Sequence, residues 1–231
     1  HGDGPQRRVR LRGAPRLKVT VQGGHVPNAL TELAAGEEVY CEAGVMVYAD
    51  ASVQFHMRPM IQGGIARSLK RSLIGGVPFY MHTYLGPGYA AFSRSEPGEV
   101  RVIELAAGQQ LDVAEHSLLL AGSTVQYDTV YVKGTGRIGR MIGFWMDRLT
   151  GPGTIAIHGH GNILSFNLDD KEVFDVDHGA VLLKDASVQM QAFNQSLGGG
   201  LMGGALSYEA MRIRGPGQLM LQTLDPSHPR R

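Results

Sequence analysis

The sequence predicts an all-β protein of three tandem β-sandwich repeats about a pseudo-threefold axis, with one short amphipathic helix in the first repeat. The main observation is a tripeptide, Gly-Pro-Gly, found at residues 86–88, 151–153 and 215–217. Its first glycines are 65 and then 64 residues apart. A fixed period indicates a repeated structural unit. Short runs of alternating apolar and polar residues flank each copy, as in half-buried strands.

Each Gly-Pro-Gly is predicted to reverse the chain between two strands. Proline fixes φ at about −65° at the first central position of a turn, and the next glycine accepts the positive φ that a type II turn requires. The predicted structural turns are formed by Gly86, Pro87, Gly88, Gly151, Pro152, Gly153, Gly215, Pro216 and Gly217.

The repeats also agree outside these turns. Residues 33–39, Leu-Ala-Ala-Gly-Glu-Glu-Val, recur at 105–111 as Leu-Ala-Ala-Gly-Gln-Gln-Leu, and a divergent copy begins at Leu168. Segments with Val-Gln at their third and fourth positions begin at Ala51, Ser123 and Ala186. We therefore divide the chain into a basic irregular leader (1–16), three β-repeats (17–93, 94–157 and 158–224) and a tail (225–231).

Strand alternation assigns faces within each repeat. Apolar residues at alternate positions after the turn are predicted to face the core, as for Ile155 and Ile157, and Thr154 is predicted to face away from it. Trp145 matches Tyr80 and Glu209 in the other repeats. A position that accepts glutamate in one repeat is expected at the surface, so Trp145 is either a contact residue or a partly exposed aromatic.

Composition limits the class of protein. The chain has 231 residues and a single cysteine, Cys41, so no intrachain disulfide can form. Cys41 is predicted to be a small buried apolar residue in a strand. No apolar run reaches the roughly 20 residues that a membrane-spanning helix requires.

Charge is unevenly distributed, although the formal net charge is +1. Six of the 22 basic residues lie in the first 18 positions, and residues 19–229 carry a net charge of −6. A basic leader suits binding to nucleic acid or to anionic lipid, and it is equally compatible with a solvated tail.

The chain resembles a known family. The turn at 33–38, Ala-Gly-Val-Met-Val-Tyr at 43–48, the glycine-rich segment 198–204 and the repeated Gly-Pro-Gly are similar to the "altered inheritance of mitochondria" family, number twenty-four, from about Val39 to Thr223. The resemblance implies a triplicated β-sandwich fold, grouped with that of the tryptophan RNA-binding attenuation protein. It implies no enzymatic activity and no cofactor. It also implies a mitochondrial location in a eukaryote and a cytoplasmic one in a prokaryote, with association to a membrane as an option.

Two further expectations concern assembly and metal. The many strand edges predict a homo-oligomer, because sheet proteins must cover or pair such edges. His158 and His160 place two imidazoles on one side of an extended strand, as in metal-binding proteins of the cupin type. No carboxylate follows at the spacing that motif uses, so the alternative is a polar linker without metal.

Three stretches that include most of the chain between each Val-Gln and the next Gly-Pro-Gly, residues 51–95, 129–146 and 186–208, carry no acidic residue. A pseudo-threefold axis would bring them to one end of an otherwise acidic body, as a basic and apolar cap. We predict that this cap contacts an anionic membrane or an acidic protein, and the nucleic-acid alternative concerns the basic leader. The candidate binding residues are Arg67, Lys70, Arg71, Lys133, Arg137, Arg140 and Trp145.

The helix is predicted within this cap. Ile65, Leu69 and Leu73 have helical spacing and share one face, and the basic residues of that segment lie on the other. Such a helix can lie on an anionic membrane, or it can pack its apolar face onto the sandwich or a neighbouring subunit. The sequence therefore predicts a non-catalytic scaffold or binding protein, with a nucleic-acid-binding protein and a cupin-like metalloprotein as alternatives.

Overall fold

The fold is described by a computed structural model that covers residues 16–59, 80–132, 144–196 and 207–225. Within those ranges it contains antiparallel strands and one turn of 3-10 helix at His178–Ala180, which confirms the all-β class. The predicted helix around Leu69 lies outside the described residues. The strands are β1 (Lys18–Gln22), β2 (Asn28–Leu33), β3 (Glu38–Glu42), β4 (Met46–Ala49), β5 (Gln54–Pro59), β6 (Tyr80–Leu85), β7 (Gly88–Phe92), β8 (Gly98–Leu105), β9 (Gln110–Ala114), β10 (Leu118–Gly122), β11 (Gln126–Val132), β12 (Phe144–Thr150), β13 (Gly153–His160), β14 (Ile163–Leu168), β15 (Val173–Asp177), β16 (Val181–Asp185), β17 (Gln189–Ser196), β18 (Ser207–Arg214) and β19 (Gly217–Gln222).

The described strands form four sheets, which we name A to D. Sheet A has the order β1-β2-β7-β4, and sheet B has the order β5-β6-β3-β10-β13-β8. Sheet C has the order β11-β12-β9-β16-β19-β14, and sheet D has the order β15-β18-β17. Sheets B and C therefore each combine strands that are distant in the sequence.

The apolar core lies in three clusters between successive sheets. Side chains of sheets A and B form one cluster, those of B and C form a second, and those of C and D form a third. The two inner sheets therefore bury residues on both faces. Representative buried residues are Val39, Phe92 and Leu119 in the first cluster, Leu111, Ile155 and Leu182 in the second, and Met146, Ile213 and Leu219 in the third.

Two strand pairings join the segments of the chain into continuous sheets. In sheet B, β10 pairs with β3, and Ala121 lies opposite Tyr40. In sheet C, β16 pairs with β9, and Lys184 lies opposite Asp112. We call these pairings the first and second junctions.

The Gly-Pro-Gly segments are corners between sheets and not reversals within one sheet. They lead from β6 in sheet B to β7 in sheet A, from β12 in C to β13 in B, and from β18 in D to β19 in C. The second glycine of each corner has a positive φ, as predicted, but its value of 138–147° differs from the roughly +80° of the predicted type II turn. The first glycine of each corner has no room for a side chain: a Cβ on Gly151 would contact the carbonyl oxygen of Ala106 and the side chain of Leu105.

Several predicted placements are confirmed. Ile155 and Ile157 are fully buried, and Cys41 is buried in β3, where burial raises its pKa to about 12. Thr154, predicted to face away from the core, is also fully buried, because sheet A covers the other face of sheet B. No helix of the described ranges is long and apolar enough to cross a membrane.

Candidate functional site

Only one of the predicted residues of the basic cap lies within the described part of the chain. Trp145 lies in β12, inside those limits. The six cationic candidates lie in the connections between β5 and β6 and between β11 and β12, outside the described residues: Arg67, Lys70, Arg71, Lys133, Arg137 and Arg140. What the structure describes is the strand pair from which each connection starts.

These strand pairs occupy equivalent places in the sheets. The pair β5–β6 lies at one end of sheet B, β11–β12 at one end of sheet C, and β17–β18 at one end of sheet D. Each pair is antiparallel, so the connecting residues leave and rejoin the sheet between neighbouring strands. We call these three strand pairs, with their connections, the edge hairpins.

The edge hairpin β5–β6 displays large apolar side chains to solvent. Phe55 is 49% exposed, Met57 is 63% exposed and Tyr80 is 43% exposed. Phe55 packs its ring against His82 with a centroid distance of 5.0 Å, so it has a fixed place on the surface of the sheet. Most large apolar side chains of the described residues are buried, so this patch is one of a few exposed apolar surfaces among them.

The edge hairpin β11–β12 carries an aromatic pair at its outer end. Tyr131 lies opposite Trp145 in the strand register, and their ring centroids are 5.0 Å apart. Tyr131 is exposed and Trp145 is half-buried. Trp145 therefore lies at the rim of the sheet, with one part of its ring system packed and another in contact with solvent.

A cavity of about 300 Å³ opens beside this aromatic pair. It lies between the outer part of sheet C and strand β17 of sheet D. Half of the lining residues are apolar or aromatic, and the charged lining consists of two cations and one carboxylate. The lining residues are Asp112, Val130, Tyr131, Val132, Arg148, Lys184, Met190 and Gln191.

The charged residues of the cavity form one buried cluster. Arg148 donates two hydrogen bonds to the carboxylate of Asp112, at 2.7 and 2.9 Å, and Lys184 donates a third at 2.8 Å. Burial alone would raise the pKa of Asp112, but the hydrogen bonds from Arg148 and Lys184 outweigh it and hold that pKa below its usual range. The Asp112 carboxylate also raises the pKa of Arg148.

The cluster fixes three strands, since Asp112, Arg148 and Lys184 lie in β9, β12 and β16. Arg148 and Lys184 use these donor groups to bind Asp112, so the cluster is suited to stabilising the second junction. The cluster also places two cations, Arg148 and Lys184, in the lining of the cavity, next to the aromatic side chain of Tyr131. Sequence reasoning missed it, although a lysine that ends the apolar run Val181-Leu182-Leu183 is a signal of a buried ion pair.

A second charge cluster, around the buried carboxylate of Glu42, lies near the first junction. Arg94 donates to Glu42 at 2.6 Å, and Nδ1 of His116 lies 3.2 Å from the same carboxylate oxygen. Burial alone raises the pKa of Glu42, but His116 and Arg94 together lower it below its usual value. The hydrogen bond to Glu42 raises the pKa of His116.

The two histidines proposed as metal candidates are close but do not form a ligand set. Their ring centroids are 5.0 Å apart, with the planes at 89°. Nε2 of His158 faces the backbone carbonyl of Glu96 at 3.2 Å, and Nε2 of His160 faces the Glu96 carboxylate at 2.5 Å. Burial lowers the pKa of His158 to about 4. The described part of the chain contains no group of three His, Cys, Asp or Glu side chains that could hold a metal ion.

Comparison with known proteins gives a family and a fold. Residues 19–224 match the family described as mitochondrial biogenesis AIM24. A crystal structure of a Streptococcus pyogenes protein, solved by a structural genomics consortium, is 22% identical to this chain, with a TM-score of 0.70. That similarity covers 92% of this chain and 95% of the other. Comparison with curated proteins gives no match.

Proposed function

The chain belongs to the mitochondrial biogenesis AIM24 family, and from that membership and the edge hairpins we propose that it is a non-catalytic binding protein that acts at an anionic membrane surface. The observation that carries this proposal is the exposed patch of Phe55, Met57 and Tyr80 on the edge hairpin β5–β6. It lies on the two strands that lead into the connection with Arg67, Lys70 and Arg71.

Aromatic side chains and basic residues contribute to membrane binding in different ways. Exposed aromatic rings are amphipathic and favour the headgroup level of a bilayer. Basic residues near an anionic surface each contribute about 1 kcal/mol at close range, and this attraction weakens with salt. The first two edge hairpins combine both features, since their strands expose Phe55, Tyr80 and Tyr131, and their connections, residues 60–79 and 133–143, contain basic residues and no acidic ones.

The finer architecture belongs to the same proposal. We propose that the chain is a triplication, that the helix around Leu69 lies in the first edge hairpin, and that the three edge hairpins present one repeated binding surface. The support is that all three hairpins end a sheet and that each is followed by a Gly-Pro-Gly corner. Two junctions join the described strands, so a threefold arrangement needs a third equivalent contact.

Co-sedimentation with vesicles tests the membrane proposal. We expect protein without residues 1–16 to bind phosphatidylglycerol vesicles at low salt, to bind less at high salt, and not to bind phosphatidylcholine vesicles. Replacing Arg67, Lys70 and Arg71 by serine should weaken binding by up to about 100-fold, from roughly 1 kcal/mol for each charge.

The matched control removes three charges elsewhere. In the full chain, replacing Arg7, Arg8 and Arg10 by serine changes the net charge equally but leaves the hairpin intact. Equal losses in the two triple variants would show attraction to net charge and not to a defined surface. If the leaderless protein binds neither type of vesicle, the membrane proposal is wrong, and an acidic protein becomes the favoured target.

A further inference from the structure

The edge strands β4 and β15 both expose apolar side chains. β4 ends sheet A and pairs there with β7, and β15 ends sheet D and pairs there with β18. In β4, Met46 is 44% exposed, Val47 is 57% exposed and Tyr48 is 48% exposed. An exposed apolar sheet edge promotes pairing with another strand.

The strands equivalent to β4 are paired at the two junctions inside the chain. β4, β10 and β16 each precede a segment with Val-Gln, at residues 53–54, 125–126 and 188–189. The residues of β10 and β16 that correspond to Met46, Val47 and Tyr48 are 0–3% exposed. They are Leu118, Leu119 and Leu120 in β10, and Val181, Leu182 and Leu183 in β16.

The strands equivalent to β15 are the partners at those junctions. β3, β9 and β15 each follow a turn closed in the same way, by a side-chain oxygen that accepts a hydrogen bond from the backbone N–H three residues earlier. The acceptors are Glu37, Gln109 and Glu172, at 3.0, 3.0 and 2.9 Å. At the first and second junctions, β3 and β9 pair along the edge that faces away from β6 and β12. The corresponding edge of β15, which faces away from β18, has no partner strand within the described chain.

We propose that β4 of one copy pairs antiparallel with β15 of a second copy, so that copies join head to tail. The register follows from the two junctions, where Ala121 lies opposite Tyr40 and Lys184 lies opposite Asp112. The corresponding pair is Ala49 with Asp175 of the second copy. Tyr48 then lies opposite Val176 of the second copy, as Leu183 lies opposite Val113 at the second junction.

This pairing would join sheets A and D into one sheet with the order β1-β2-β7-β4-β15-β18-β17. Sheets B and C have the corresponding order at their centres. There the counterpart of β15 pairs with the counterpart of β4: β3 with β10 in sheet B, and β9 with β16 in sheet C. A head-to-tail contact uses two different surfaces, so it generates a closed ring or an open filament and not a twofold dimer. It does not rest on the proposed membrane function, because it uses neither the edge hairpins nor their basic connections.

Cysteine cross-linking tests the register. Directly opposed residues of antiparallel strands have Cα atoms about 4.5–5.5 Å apart, within disulfide range, and a shift of two residues increases the distance to about 8 Å. We expect A49C and D175C each to stay uncross-linked when oxidised alone, and to give a covalent dimer when mixed. A mixture of A49C with V173C is the control for register and should give little product.

Wild-type protein must also remain uncross-linked, which is expected because its own Cys41 is buried. A covalent dimer from A49C alone would show a twofold contact between β4 strands and would overturn the proposal. Absence of product from the mixture of A49C and D175C would overturn it as well.

Sedimentation velocity tests the same contact without cysteines. Tyr48→Glu places a charge at a position that is buried at both junctions, so we expect it to weaken self-association by more than about 100-fold. Val21→Glu is the matched control, because Val21 is also exposed and lies in β1, at the other edge of sheet A. Circular dichroism checks that both variants fold. The proposal is wrong if wild type is monomeric up to near-millimolar concentration, or if both variants weaken association equally.

Discussion

The buried cluster at Asp112 gives the sharpest prediction for stability. The side chains of Asp112 and Lys184 are 2% and 7% exposed, so removing the carboxylate leaves an ammonium group buried without its counter-ion. Breaking a buried ion pair from one side costs about 3–5 kcal/mol. We expect Asp112→Asn, which keeps the size of the side chain, to lower the free energy of unfolding by that amount in urea titrations.

Asp175→Asn is the matched control for this variant. Asp175 accepts two hydrogen bonds from Arg212, both at 2.7 Å, in the same bidentate geometry that Arg148 uses on Asp112. Both side chains of that pair are 40% exposed, and exposed pairs contribute little to stability. In titrations at protein concentrations low enough to keep the chain monomeric, Asp175→Asn should therefore leave the urea midpoint almost unchanged. Equal losses in the two variants would refute the reasoning that burial sets the cost.

The pH dependence of the same cluster has a defined sign. The pKa of Asp112 is lowered from its ordinary value of 3.8, so its contribution is complete above that pH and is lost as the pH falls through the lower folded-state pKa. Wild type should lose this contribution in acid, and Asp112→Asn should not. The difference in stability between the two proteins should therefore shrink below about pH 3.8.

Three other predictions use separate parts of the molecule. Gly151→Ala should lower the melting temperature strongly, because its Cβ would contact the Ala106 carbonyl, whereas Gly24→Ala has no neighbour within 4 Å and should be nearly neutral in the same scan. His116→Ala should lower the free energy of unfolding by less than about 1 kcal/mol, since the His116 side chain is 77% exposed. The loss should occur only below the raised pKa of His116, because the imidazolium form binds Glu42. A stability loss for this variant that stays constant to alkaline pH would contradict that account. Cys41 should react with a maleimide at neutral pH only after unfolding, because its thiol is buried and its pKa is about 12; rapid labelling of native protein would contradict the buried position.

Local patterns in the sequence predicted the strands and their inward residues well. Alternation after the corner placed Ile155 and Ile157 in the core, where they are fully buried. Alternation failed at Thr154, because a period of two identifies two faces but not whether another layer covers the second. Thr154 is buried, and its hydroxyl accepts from the backbone N–H of Leu17, a contact between residues that the sequence pattern had no means of pairing.

The candidate site shows the same limit. The sequence identified Trp145 as a rim residue because its counterparts include glutamate, and the structure places Trp145 half-buried against Tyr131. The cluster of Asp112, Arg148 and Lys184 depends on three strands far apart in the sequence, so its existence follows from sheet order and not from local spacing. The corner geometry was also missed, because Gly-Pro-Gly fits both a reversal within one sheet and a step between two sheets.

The corners have a consequence for how the protein folds during synthesis. Each corner returns the chain to the sheet that began earlier in the sequence. The strand that follows the corner is the last one added to that sheet: β7 ends at Phe92 in sheet A, β13 at His160 in sheet B and β19 at Gln222 in sheet C. As the chain leaves the ribosome, β3, β5 and β6 emerge long before the strands β8, β10 and β13 that complete their sheet. Each of these sheets therefore begins before the preceding one is complete, and sheets A, B and C are completed in that order.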